Sequence, residues 1–158
     1  MTNSGNDKQA YILGSIFALS NRLQTLGDKL PDYMTIKQWF LIAVISKSEN
    51  NTLTIGQLAT IIGSSHQNIK KMAISLQKQG FLTLNKNPSD ARSVVISLTE
   101  HCIDYFKQRS HIEEMFLNAV FQDFGEEYID GLYDGMQLLQ GNVERMEVIQ
   151  KQESNVEG

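Results

Sequence analysis

Residues Thr54 to Gly80 have the sequence TIGQLATIIGSSHQNIKKMAISLQKQG, which contains the strongest indication of the fold. It opens with Thr54 and Gln57, which have the spacing of a capping box at a helix N-terminus. Apolar residues recur at helical spacing on both sides of a Gly63-Ser64-Ser65 turn: Leu58, Ala59, Ile61 and Ile62 before it, and Ile69, Met72, Ala73 and Leu76 after it. Two short helices joined by such a turn predict a helix-turn-helix.

The second of these helices carries a polar, cationic side opposite its apolar stripe. The residues on that side are Gln67, Lys71, Ile74 and Lys78, with Asn68, Lys70 and Ser75 beside them. Amide side chains pair with adenine and lysines with guanine or phosphate, which is the chemistry of a helix that reads the major groove. We expect DNA contacts from the turn, this helix and the hairpin that follows: Ser64, Ser65, His66, Gln67, Asn68, Lys70, Lys71, Lys86, Asp90 and Arg92. The alternative is that these lysines form an ordinary solvated surface that does not contact DNA.

After Gly80 the amino-acid pattern changes from that of a helix to that of β-strands. Residues 81–85 and 94–98 are rich in β-branched and apolar side chains and predict a hairpin, with residues 86–92 as a long tip. Arg92 at this tip is suited to the minor groove, and Asp90 is placed to hold it. A simple solvated tip is the alternative for Arg92.

The flanking regions have helical spacing. A first helix is predicted from about Lys8 to Leu26, a second from about Ile36 to Ser46 behind a capping box at Thr35 and Gln38, and two more after Glu100, separated near Gly125. The fold class is therefore mainly α with a small β-hairpin wing: a winged helix-turn-helix with long N- and C-terminal dimerisation helices.

This order of elements predicts three parts: an N-terminal dimerisation helix at 1–34, a winged helix-turn-helix at 35–99 and C-terminal dimerisation helices at 100–158. The apolar faces of the outer helices exceed what a small winged module can cover. A homodimer is the expected way to bury them.

Charge is distributed unevenly along the chain. The net charge is −4, yet residues 54–99 hold five basic residues against one acidic residue, whereas residues 100–158 hold four basic against thirteen acidic. Local charge decides where a polyanion is attracted, because exposed charges are screened over about 8 Å at physiological salt. The basic segment coincides with the predicted helix-turn-helix and hairpin.

Other compositional features favour a cytoplasmic protein. The longest apolar run, residues 39–45, is far shorter than the roughly 20 residues of a membrane span, and the N-terminus lacks a basic-then-apolar signal pattern. A single cysteine, Cys102, cannot form an internal disulfide, which suits a reducing compartment.

The sequence argues against an enzyme. It has no Gly-rich phosphate loop, no nucleophile elbow and no pair of metal ligands at i,i+4. Zinc held by His101, Cys102 and His111 would lack ligand number and spacing. We therefore expect no catalytic residues, no cofactor and no metal.

Three segments together resemble the MarR family of bacterial transcription regulators. They are Leu76-Gln-Lys-Gln-Gly80-Phe, Asn87-Pro-Ser-Asp90-Ala-Arg92 and Val95-Ile-Ser-Leu98-Thr99. The resemblance covers nearly the whole chain and implies a homodimer, joined through its first and last helices, that binds double-stranded DNA at a pseudo-palindromic operator. It also implies a repressor released by a small aromatic effector bound between the dimer helices and the winged domain. Tyr11, Trp39 and Tyr105 are the candidate effector-binding residues.

The chain departs from the family pattern at two positions. Ser93 stands where a second basic residue usually follows the wing arginine, which predicts fewer wing contacts. Cys102 stands where a glycine is common, and it opens the alternative of an oxidant-sensing regulator. A buried cysteine used only for packing is the competing interpretation. A helix-turn-helix used solely for protein interaction is a further alternative, which a cationic recognition face disfavours.

Overall fold

The computed structural model describes residues 4–29 and 34–156. Its elements follow in the order α1 (Ser4–Gly27), α2 (Ile36–Ser46), a 3₁₀ turn (Glu49–Asn51), β1 (Thr52–Thr54), α3 (Ile55–Ile62), α4 (His66–Lys78), β2 (Leu82–Asn87), β3 (Asp90–Leu98), α5 (Glu100–Val120) and α6 (Glu126–Val156). The predicted fold class is confirmed, and α3 with α4 forms the predicted helix-turn-helix. The segment between the first two predicted helices includes residues 30–33, which lie outside the described residues.

Helix starts follow the capping chemistry in the sequence. Thr35 and Gln38 form a complete capping box at α2, and Thr54 and Gln57 form another at α3. Gly63 ends α3 with a φ of 68°, a left-handed conformation that glycine adopts without steric cost. Both predicted capping boxes are confirmed.

The sheet has three antiparallel strands in the order β1-β3-β2. The sequence predicted the hairpin β2-β3 but not β1, whose three residues pair with β3 from Thr52 opposite Ser97 to Thr54 opposite Val95. The Thr52 and Ser97 hydroxyls also share a hydrogen bond of 2.9 Å. β1 therefore ties the start of α3 to the wing.

The core lies inside the winged helix-turn-helix. Its largest fully buried side chains come from α2, α3, α4, both hairpin strands and the first turn of α5: Leu41, Ile45, Leu58, Ile69, Leu76, Leu82, Ile96 and Cys102. Dense apolar packing of this kind gives α4 a fixed support.

The chain divides into two compact units, residues 1–108 and residues 109–158. The first contains α1, the winged helix-turn-helix and the start of α5. The second contains the rest of α5 and α6, and in this unit large apolar side chains such as Tyr133 and Leu138 are more than half exposed. None of the helices in the described ranges is long and apolar enough to cross a membrane.

Candidate nucleic-acid interface

Helix α4 begins at a well-defined cap. The Ser65 hydroxyl accepts a hydrogen bond from the Asn68 backbone N–H at 3.2 Å. The Ser64 backbone N–H donates to the Ala59 carbonyl at 3.0 Å, which fixes the turn to α3. The first turn of α4 is therefore held in place by bonds that leave its side chains free to face outward.

The two sides of α4 differ sharply in burial. Ile69, Ala73 and Leu76 are fully buried against the core. The predicted DNA-contacting residues of the helix are all exposed: His66, Gln67, Asn68, Lys70 and Lys71. The structure thus places them together on one surface, as the sequence predicts, and Ser64 is half-buried beside them.

This exposed surface is cationic. None of the thirteen residues of α4 is acidic. Within the described part of the chain, Lys70 and Lys71 form no ion pair, so their charges are available to a ligand. A polyanion would meet two neighbouring ammonium groups and two amide side chains here.

A polar groove runs between α4 and the start of α2. It has a volume of about 420 Å³, and its walls include Lys37 and Gln38 from α2 and Asn68, Lys71 and Ser75 from α4. Lys37 was not among the residues predicted from the sequence to contact DNA, and Gln38 was predicted only to cap α2. Lys37 is a basic residue in the first turn of α2, and its charge next to the helix-turn-helix could have indicated a role in binding DNA.

The wing tip is shorter than predicted. Strand β2 continues to Asn87 and β3 starts at Asp90, so Pro88 and Ser89 alone form the turn and the predicted long tip over residues 86–92 is wrong. The Asn87 side chain accepts from the Ser89 backbone N–H at 3.0 Å, which closes the turn locally.

Arg92 lies in an irregular part of β3. Lys86 pairs with Val94 and Asn87 pairs with Asp90, so residues 91–93 are inserted as a bulge between these two pairs. The Asp90 carboxylate accepts from the Arg92 backbone N–H at 3.0 Å, and the Ser93 hydroxyl donates to the Asp90 carbonyl at 3.2 Å. Lys86, Asp90 and Arg92 are exposed.

The three candidate effector-binding residues lie on three different helices. Tyr11 on α1 is 76% exposed, whereas Trp39 on α2 packs against the core. Tyr105 on α5 also packs there, with its ring edge-on to Phe81 at 5.0 Å. None of the three lines the polar groove between α4 and α2, or the cavity of about 410 Å³ between α1 and the winged domain.

Cys102 is buried and capped into α5. Its side chain has no solvent exposure, and its backbone N–H donates to the Thr99 hydroxyl at 3.1 Å. Burial raises the pKa of the thiol to about 11, because the charged thiolate would lose its hydration. At neutral pH the residue is therefore a protonated thiol within the core.

Across residues 4–29 and 34–156, no group of three or more His, Cys, Asp or Glu side chains is arranged to hold a metal ion.

Residues 34–93, which contain α2, the helix-turn-helix and most of the wing, match the model of the MarR family. The match spans less than half of the chain. It shows that the winged domain is similar to that of the MarR family. It also explains why the sequence segments at the end of α4 and in the wing carried the resemblance.

Similar proteins extend the match beyond the winged domain. The chain is 22% identical over 136 residues to the HTH-type transcriptional regulator YfiV of Bacillus subtilis, covering 86% of this chain and 84% of that one. A MarR/EmrR family regulator from Acinetobacter sp. ADP1 has the same fold, with a TM-score of 0.75 at 18% identity over 87% of this chain and 97% of that one.

Another solved structure contains DNA. Sco3205, a MarR family transcriptional regulator from Streptomyces coelicolor crystallised in complex with DNA, has a TM-score of 0.72 at 17% identity over 84% of this chain and 86% of that one. The fold of this chain is thus one that is found bound to DNA in another protein.

Proposed function

We propose that this chain is a sequence-specific, double-stranded-DNA-binding regulator in which α4 reads the major groove and the wing contacts the neighbouring minor groove. The observation that carries the proposal is the exposed face of α4, which gathers Gln67, Asn68, Lys70 and Lys71 without an acidic residue. Acidic side chains would be repelled by phosphate, whereas these four match base edges and phosphates. Such a protein acts where the chromosome is, which places it in the cytoplasm.

We further propose that the functional form is a homodimer. On α1, Tyr11 and Phe17 are 76% and 66% exposed, and on α6, Tyr133 and Leu138 are 63% and 71% exposed. Apolar surface on this scale is usually covered by a partner. A second copy of the chain would place two α4 helices on half-sites about 10 bp apart in a pseudo-palindromic operator. Sedimentation of a monomer at micromolar concentration would contradict this proposal.

A cavity between α1 and the winged domain supports the proposal of a small aromatic effector. Its volume is about 410 Å³, in the range typical of small-molecule sites, and its lining is mainly apolar. Leu23 from α1, Phe40 from α2 and Met72 from α4 contribute apolar walls, and Lys37 contributes a positive charge suited to an anionic compound. An effector bound there would touch both α1 and α4, so it would be placed to alter DNA binding and to release a repressor.

The alternatives have less support. Oxidant sensing requires an accessible thiolate, and Cys102 is buried with a raised pKa. A module used only for protein contacts has no need of an acid-free cationic helix face.

The experiment that tests the proposal is selection of bound fragments from the source genome by the purified chain. We expect enrichment of fragments that share a pseudo-palindromic sequence with half-sites about 10 bp apart. Repeating the selection with aromatic carboxylates and with oxidants tests the effector and redox alternatives. Recovery of fragments without a shared sequence would contradict sequence-specific binding. A reporter driven by an enriched promoter, which rises when the regulator gene is deleted, would identify a repressor.

A further inference from the structure

The chain contains the capping-box sequence Thr-Ile-x-Gln twice, each time at a helix N-terminus. Thr35-Ile-Lys-Gln38 opens α2 and Thr54-Ile-Gly-Gln57 opens α3. In the first, the Thr35 backbone N–H donates to Gln38 Oε1 at 2.9 Å, and in the second the Thr54 N–H donates to Gln57 Oε1 at 2.8 Å. In the reciprocal bonds the backbone N–H of each glutamine donates to the Oγ1 of its threonine, at 3.3 Å for Gln38 and 3.1 Å for Gln57. As helix caps, the two are equivalent.

They differ in what the glutamine amide group does. Gln38 Nε2 donates a hydrogen bond of 3.2 Å to the hydroxyl of Ser75, which lies 37 residues away on α4. Gln57 is exposed, and in the described part of the chain its side chain serves only the capping box. Gln38 is therefore held at one end by its own helix start and at the other end by α4.

Ser75 occupies the border between the two sides of α4. It is half-buried, and it lies one turn after Lys71 and two turns after Asn68 on the same side of the helix. All three line the polar groove beside α2. A bond at Ser75 thus acts on the edge of the surface proposed to read bases.

Apolar packing fixes which side of α4 is buried, and a directional contact adds a restraint on its exact rotation about the helix axis. The buried contacts of Ile69, Ala73 and Leu76 fix this side. A hydrogen bond has narrow limits of distance and angle. The bond from Gln38 to Ser75 supplies such a directional restraint, because the capping box already fixes Gln38.

The start of α2 is itself fixed to the end of α1. The Ile36 backbone N–H donates to the Asp28 carboxylate at 2.7 Å, immediately before the capping box. A continuous set of polar contacts therefore runs from Asp28 through the start of α2 and Gln38 to Ser75.

We propose that Gln38 is a positioning residue for DNA recognition, which sets the rotation of α4 through Ser75 and so directs Asn68 and Lys71 toward base edges. This inference rests on the proposed DNA binding and adds a residue that does not itself have to touch DNA. Losing the restraint should impair discrimination between sequences more than general attraction to DNA, because phosphate attraction tolerates small rotations that base contacts do not.

The test compares Gln38→Ala with the matched control Gln57→Ala, and adds Ser75→Ala and the Gln38→Ala/Ser75→Ala double variant. Affinity is measured for an enriched genomic fragment and for the same fragment with its sequence scrambled, alongside the thermal midpoint. We expect Gln38→Ala and Ser75→Ala each to lower the ratio of the two affinities about fivefold, the size of one lost neutral hydrogen bond. The double variant should lose no more than either single variant, because both remove the same bond.

Gln57→Ala should keep the wild-type ratio although it loses an equivalent capping box. Ser75→Ala leaves the capping box at α2 intact, so it tests the bond even if Gln38→Ala does not fold. Equal ratios for Gln38→Ala and Gln57→Ala, additive losses in the double variant, or an equal loss of affinity for both fragments would each overturn the positioning role. A wild-type chain that does not distinguish the fragments would instead overturn the proposed function together with this inference.

Discussion

The Asp90 carboxylate accepts a hydrogen bond from the backbone N–H of Arg92 at 3.0 Å, within the bulge of the wing. The bond orients the main chain that carries Arg92 and leaves its guanidinium exposed. An acidic residue near a DNA-binding surface normally lowers the affinity for DNA, because phosphate repels its charge. At Asp90 the hydrogen bond that positions Arg92 can offset this loss.

Two substitutions at Asp90 separate these effects. Asp90→Asn keeps an oxygen acceptor and removes the charge, so we expect operator affinity equal to or higher than that of the wild type. Asp90→Ala removes both the acceptor and the charge. We expect the affinity for the operator to fall about threefold, because the backbone at Arg92 is no longer held by this hydrogen bond. Fluorescence anisotropy with an enriched fragment measures both. If Asp90→Ala binds as tightly as Asp90→Asn, the hydrogen bond has no role in binding.

Gly27 at the end of α1 lies too close to α2 for any side chain. A Cβ there would be 2.7 Å from Ile36 Cδ1 and 2.8 Å from Ile36 Cβ. Gly27→Ala should therefore lower the free energy of unfolding by about 1–3 kcal/mol, the usual cost of overpacking. Chemical denaturation measures this change.

Gly56 in α3 is the matched control. A Cβ there would meet only an ordinary contact, 3.5 Å from His66 Cε1. Gly56→Ala should leave stability unchanged or raise it slightly, because alanine favours helices. Equal effects of the two substitutions would contradict a close approach of α1 and α2 at Gly27.

Because the thiol of Cys102 is buried, we expect the protein to lose stability at alkaline pH as this thiol ionises. Burial raises the thiol pKa from 9.0 to about 11, so the folded state keeps a proton that the unfolded state releases. The resulting stabilisation is fully present below pH 9 and is lost as the pH rises through 11. Between pH 7 and pH 10.5 the loss should be about 2 kcal/mol.

The measurement is the free energy of unfolding of the wild type and of Cys102→Ala at both pH values, under reducing conditions. Other groups that titrate in this range are common to both proteins, so the wild type should lose about 2 kcal/mol more than the variant. Identical losses would show that the thiol titrates normally in the folded protein.

Local chemistry made much of this fold predictable from sequence. The Thr35 and Thr54 capping boxes form as their spacing indicates, and Gly80 follows α4 with a φ of 80°. The polar residues of α4 are exposed together because the apolar stripe of Ile69, Ala73 and Leu76 fixes which side is buried. Signals contained within one helix turn or one helix face were sufficient here.

Features that depend on distant partners were not predictable in the same way. Strand β1 has three residues and exists through its pairing with β3, more than forty residues later. The wing tip was predicted too long because Lys86, Asn87 and Asp90 have poor strand preference, yet the pairing of the hairpin extends to them. The amide of Gln38 finds Ser75 across 37 residues, and the capping motif says nothing about that contact.

Lys71 lies on the exposed face of α4 that we propose binds DNA, and the decisive measurement is the affinity of Lys71→Ala for an enriched genomic fragment. Lys151→Ala, which removes the same charge from an exposed position on α6, is the matched control. We expect Lys71→Ala to weaken binding about tenfold or more, the scale of one lost base or phosphate contact, and Lys151→Ala to stay within about twofold of the wild type. Equal affinities for the two variants would contradict this proposal.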